Sequence, residues 1–169
     1  MKKTLKNLAL AFTAVFFLAC SKSDDNGNID SGKGEVMKVE ITNTGKLSDY
    51  SDNLVLQIGT IDDKVINVEG EDWDDTIVNM PAIIFKKGGE VKEKRILTTT
   101  EKVFSVTVAY GLYNETETEE VVNTNVKIYS KNKLIKSYDY VMDNSNSANS
   151  FTIVANHKGE VIVGGEMGK

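Results

Sequence analysis

Seven consecutive residues, Glu69-Gly70-Glu71-Asp72-Trp73-Asp74-Asp75, gather five carboxylates around the only tryptophan of the chain. Crowded carboxylates can do two kinds of chemistry. They can hold Ca²⁺, which takes about six to eight oxygen ligands. They can also supply the acid and the base of glycoside hydrolysis, provided two of them sit about 5–9.5 Å apart. Trp73 adds a third use, because an exposed indole face is flat and apolar enough to carry a sugar ring. The plainest arrangement is a solvated acidic loop with Trp73 tucked over an edge of the fold. The spacing does not follow the EF-hand loop, which alternates its ligands and turns on a glycine at the sixth position. Calcium is therefore the one cofactor this loop brings into question, through Glu69, Glu71, Asp72, Asp74 and Asp75.

Other chemistry is sparse. Asn114-Glu115-Thr116-Glu117-Thr118-Glu119-Glu120 is a second acidic run. In a strand its glutamates would share a face and repel, so it belongs in a loop or at an edge. A basic stretch, Lys86, Lys87, Lys92, Lys94 and Arg95, surrounds Gly88-Gly89. Opposite signs on two segments can steer a charged partner or keep a sheet surface soluble. His157 is the sole histidine, too few for a metal cluster, and it lacks the nucleophile that a triad needs beside it. There is no Gly-x-Ser-x-Gly elbow, no phosphate-binding glycine loop and no dinucleotide fingerprint. No catalytic residue is assigned, and an enzyme is not expected. Asp75-Thr76-Ile77 resembles the short O-glycosylation acceptor of exported Bacteroidetes proteins, with Thr76 as the carrier that the resemblance implies.

The elements that must position these residues read as strands. Leu54, Leu56 and Ile58 alternate with Val55, Gln57 and Gly59. Phe104, Val106, Val108, Tyr110 and Leu112 alternate with Ser105, Thr107 and Ala109. Tyr138, Tyr140 and Met142, and then Phe151, Ile153 and Ala155, repeat the pattern. Period two with β-branched and aromatic residues predicts half-buried strands. Turn residues at Asn43–Gly45, Lys87–Glu90, Lys131–Lys133 and Asn156–Gly159 punctuate them, and the Gly88-Gly89 turn reads as a hairpin. Pro81 sits at a strand start, where no ladder donor is lost. Eight or nine strands without an amphipathic helix predict one all-β domain, an immunoglobulin-like antiparallel sandwich over residues 35–169; a small closed barrel is the alternative.

The N-terminus has its own logic. Lys2, Lys3 and Lys6 precede a short apolar run, Leu8 to Leu18, which ends at Leu18-Ala19-Cys20. The run is too short to span a bilayer and reads as a secretion signal over residues 1–19. Leu18-Ala19-Cys20 resembles the bacterial lipobox. That resemblance implies that the Cys20 thiol is acylated and becomes the first mature residue. Ser23-Asp24-Asp25 then resembles the acidic export signal of Bacteroidetes surface lipoproteins. It implies a lipid anchor in the outer membrane with the domain on the cell surface, the periplasmic face being the alternative. Residues 20–34 are polar and make a flexible tether. Loss of the leader takes three lysines and moves the formal charge from −5 to −8. Such an acidic chain is not expected to bind nucleic acid. Its mature part has no cysteine left for a disulfide.

The expected function is a lipid-anchored, non-catalytic binding, adhesion or accessory module with a glycan or protein ligand. An inhibitor or immunity-type lipoprotein that captures a protein is the alternative. A carboxylate-dependent glycoside hydrolase is the least favoured.

Overall fold

The computed structural model describes residues 34–116, 119–142 and 148–167. The leader, Cys20 and the Ser23-Asp24-Asp25 segment lie outside the described residues. Eleven strands run through the rest: β1 (Met37–Thr44), β2 (Tyr50–Gly59), β3 (Val68–Glu69), β4 (Asp75–Asn79), β5 (Ala82–Glu90), β6 (Lys94–Thr99), β7 (Ser105–Asn114), β8 (Val122–Ser130), β9 (Lys133–Met142), β10 (Ala148–Asn156) and β11 (Val161–Met167). They form two sheets. One has five strands in the order β3-β6-β1-β8-β9; the other has six in the order β11-β10-β7-β2-β5-β4. All ladders are antiparallel. The sheets stay open at their edges, so the fold is a β-sandwich and not a closed barrel.

Alternation produces this arrangement. Tyr50, Asp52, Leu54, Leu56 and Ile58 of β2 point inward and are buried, while Ser51, Asn53, Val55 and Gln57 between them are half-buried on the outer face. Val106, Val108, Tyr110 and Leu112 do the same on β7, and Val39 and Ile41 face them from β1. Each such side chain contributes about 1.5–3 kcal/mol by leaving water, which lets the domain hold without a disulfide. Tyr110, Tyr138 and Tyr140 all pack their rings around Phe151, at centroid distances of 6.0, 5.4 and 5.2 Å.

Two local expectations change. Gly88-Gly89 does not make a hairpin between the segments that flank it. Both glycines lie inside β5, opposite Asn53 and Asp52 of β2. The chain then buries Val91 and moves into the other sheet, where β6 pairs with β1. A glycine pair can continue a ladder as well as turn, and burial of Val91 favours the crossing. Phe104 does not extend the buried row of β7. It precedes the strand, is 46% exposed, and leans on His157 at a centroid distance of 5.1 Å. The tight hairpins are found elsewhere: β4–β5 around the cis Met80–Pro81 bond, β8–β9 through Lys131 and Asn132, and β10–β11 through Asn156–Gly159.

Candidate functional site

The acidic loop joins β3, at one edge of the five-stranded sheet, to β4, at one edge of the six-stranded sheet. It therefore crosses an open side of the sandwich. Gly70 starts the crossing with a φ of +106°, and a Cβ there would lie 1.8 Å from the Ile96 carbonyl oxygen. Only glycine permits so close an approach. Trp73 is half-buried: its Nε1 donates to the Val68 carbonyl at 3.0 Å, and its ring meets the buried Phe85 ring at 5.2 Å. The indole is thus turned toward the core, and its N–H is already used within the chain. Glu69, Asp72, Asp74, Asp75 and Thr76 are exposed. Thr76 lies in β4, opposite Phe85.

Three of the loop's acids meet the basic stretch. Asp74 accepts from Lys87 Nζ at 2.6 Å and from the Gly88 N–H at 2.9 Å. Asp75 faces Lys86 at 3.5 Å. Glu71 is the inserted one, with a side chain only 1% exposed. Its carboxylate accepts from Lys92 Nζ at 2.5 Å and from Arg95 Nη1. The two oppositely charged segments of the sequence are partners of each other.

Behind Glu71 runs a buried polar chain that crosses between the sheets. Arg95 of β6 donates through Nη2 to Asp52 of β2 at 2.5 Å. Asp52 also accepts from Tyr110 of β7 at 3.1 Å. The Tyr110 hydroxyl accepts from Asn43 Nδ2 of β1 at 2.9 Å, and Asn43 Oδ1 accepts from Thr124 of β8 at 2.7 Å. Among the described residues, Asp52 Oδ1 and Arg95 Nε are the buried side-chain atoms without a hydrogen-bond partner. Burial raises the Asp52 carboxyl above its ordinary value, and Arg95 and Tyr110 only partly offset it. Burial also pushes Glu71 upward, but Lys92 and Arg95 together outweigh it and hold that carboxyl below its ordinary value. Burial and the neighbouring Asp52 drive the Tyr110 phenol far up. Asp52 and Glu71 flank Arg95 and are closed to solvent, so they offer no acid–base pair to a substrate.

The sequence held a signal for this network. Asp52 falls in phase with Leu54 and Leu56, and Arg95 falls in phase with Leu97. One charge of each sign at an inward position marks two strands that must face each other, since a buried charge demands a partner.

The outer faces of the two sheets differ. On the five-stranded sheet Lys38, Glu40, Lys94, Lys127 and Asp139 point outward. Lys38 pairs with Glu40 at 2.8 Å and lies over the Tyr129 ring. On the six-stranded sheet one row runs Ile162, Val154, Thr107, Gln57, Ile84 and Ile77. The next runs Gly164, Thr152, Ala109, Val55, Lys86 and Asp75, and a third runs Ser150, Gly111, Asn53 and Gly88. Across β11, β10, β7 and β2 the described outward side chains carry no charge.

No protein-family model matches this chain, and no curated protein sequence does. Solved structures do match. A domain of unknown function, DUF4425, from Bacteroides vulgatus aligns with a TM-score of 0.56 at 12% identity, over 73% of this chain and 96% of that one. A DUF4425 family protein from Bacteroides ovatus aligns with a TM-score of 0.55 at 15% identity, over 72% and 96%. A protein from Parabacteroides distasonis, solved in a calcium-bound form, aligns with a TM-score of 0.51 at 19% identity, over 85% and 100%. These likenesses establish the fold.

The acidic loop is where this chain could offer carboxylates to a metal ion. Its donor set does not fit. Both oxygens of Glu71 and both of Asp74 are taken by cations or backbone of this chain. Among the described residues, no three His, Cys, Asp or Glu side chains are grouped to hold a metal ion.

Proposed function

We propose that this chain is a lipid-anchored, non-catalytic binding module of the outer membrane, which docks a protein partner on the outer face of its six-stranded sheet. Cys20 is the anchor. The polar stretch after it gives the domain reach, and the Ser23-Asp24-Asp25 signal directs it to the cell surface.

The observation that carries this reading is the uncharged face on an acidic chain. A sheet surface exposed only to water is normally interspersed with charges, as the five-stranded sheet is. Six strands span about 24 Å, and three rows of side chains about 20 Å along them. Docking there would bury on the order of 1,000 Å² in total, the scale of a reversible pair. Gly88, exposed on this face, leaves room for close approach. Tyr113 is the only ring pointing outward from the strands of this face, which favours a protein over a glycan, since sugar sites rely on aromatic platforms. The enclosed Asp52 and Glu71 give no reason to propose a glycosidase.

Protease shaving of intact cells, with an antibody against the mature domain, tests the placement. Loss of the signal without lysis is expected; protection until lysis would place the domain in the periplasm. Cys20→Ala should release the protein from membranes or leave it unprocessed. A processed variant that still fractionates with the outer membrane would contradict the anchor.

A further inference from the structure

We infer that the loop Gly70–Asp74 is a calcium-independent latch, in which Arg95, Lys92 and Lys87 supply from within the chain the positive charge that a metal ion would bring to Glu71 and Asp74. This inference is independent of the docking face proposed above. Three observations carry it together.

The first is occupancy of the donors. Glu71 Oε1 and Oε2 each hold a different cation, while Asp74 Oδ1 holds Lys87 and Oδ2 holds the Gly88 N–H. The remaining carboxylates of the segment, Glu69, Asp72 and Asp75, are exposed, and Asp75 faces Lys86. Calcium wants about six to eight oxygens. It would have to strip Glu71 and Asp74 from their partners and then sit beside three displaced positive charges.

The second is position. The loop leaves the edge of one sheet and enters the edge of the other. Its cations come from β5, from the β5–β6 crossing and from β6. Glu71 is thus tied to Arg95 of β6, in the sheet the loop leaves, and Asp74 to Lys87 of β5, in the sheet it enters, so the loop is pinned at both ends of its crossing. Arg95 extends the tie inward to Asp52 of the facing sheet. The third is the seal. Trp73 closes over Phe85 with its N–H on Val68, and Gly70 permits the tight passage by Ile96. Loop, cations and indole form one unit in which every strong electrostatic contact is internal.

Trp73 is the only tryptophan, so acrylamide quenching of its emission reads this loop alone. The experiment uses the full chain in detergent, compared in EGTA and in millimolar calcium chloride. The unaltered chain should give the same emission maximum and quenching in both. The second arm is Lys87→Ala/Lys92→Ala, which removes two side chains that are 22% and 51% exposed and leaves the core intact. In EGTA this variant should keep the β-sheet circular dichroism while Trp73 quenching rises about twofold, as a loosened loop opens locally. A calcium-dependent change of Trp73 emission or quenching in the unaltered chain would overturn the inference. Unchanged quenching in the folded double variant would overturn it equally.

Discussion

The crowded acidic edge and the uncharged sheet face invert what their sequences suggest. The edge gathers the residues with the most chemistry in them, yet Glu71, Asp74 and Trp73 all spend their polar groups on their own chain. The face of β11, β10, β7 and β2 holds nothing reactive, yet it is the surface proposed to take a partner. Reactive residue types mark a binding site only where the fold leaves them unpaired. Here the carboxylates serve to close the sandwich, and the surface left available is distinguished by the charges it lacks.

The comparison breaks most readily at Arg95. Arg95→Met leaves Asp52 buried without its cation and Glu71 with Lys92 alone. Loss of one partner of a buried pair costs about 3–5 kcal/mol, so equilibrium denaturation should show a large drop in midpoint or no folded state. Gly70→Ala comes next. Its Cβ meets the Ile96 carbonyl in a left-handed backbone, and strain of this kind costs about 1–3 kcal/mol. The same denaturation should detect it, with Trp73 emission shifted toward the exposed range.

Acid sharpens the comparison through opposed signs. Glu71 is held below its ordinary 4.5. Its contribution to stability is therefore present above that value and is lost as pH falls through the folded-state value. Asp52 is raised above its ordinary 3.8, so its protonation on acidification favours the folded state. Glu71→Gln should accordingly flatten the fall in stability below about pH 4.5. Denaturant midpoints taken from neutral pH downward check this. An acid limb as steep in Glu71→Gln as in the unaltered chain would remove Glu71 from the account. The smallest effect on stability belongs to the open face. Gln57→Lys should change stability by no more than about 0.5 kcal/mol while abolishing docking. Asn125→Lys, on the other sheet, should change neither.

The sandwich was legible because inward and outward residues of β2, β7 and β10 alternate without interruption. The acidic segment was legible as a cluster, but its role was not. That role depends on Arg95 and Lys92 approaching Glu71, and this follows from the crossing of the chain between sheets after β5. Gly88-Gly89 concealed the crossing, since glycine pairs serve hairpins and extended ladders alike. Asp52 is hidden in the polar run Ser51-Asp52-Asn53, although its phase with Tyr50 and Leu54 places it inside. The docking face was invisible for a different reason. Its rows, uncharged but for the Lys86–Asp75 pair at one end, draw on six strands scattered over the sequence and exist only once β11, β10, β7, β2, β5 and β4 are side by side.

Site-specific photo-crosslinking in intact cells tests the docking face most directly. The crosslinker is placed at Gln57 on the six-stranded sheet or at Asn125 on the five-stranded sheet. A discrete protein adduct from position 57, absent from position 125 and lost when Thr152→Lys is added two strands away on the same face, is the result predicted. Adducts from position 125 alone, from both positions alike, or an adduct at 57 that survives Thr152→Lys would contradict docking on this face.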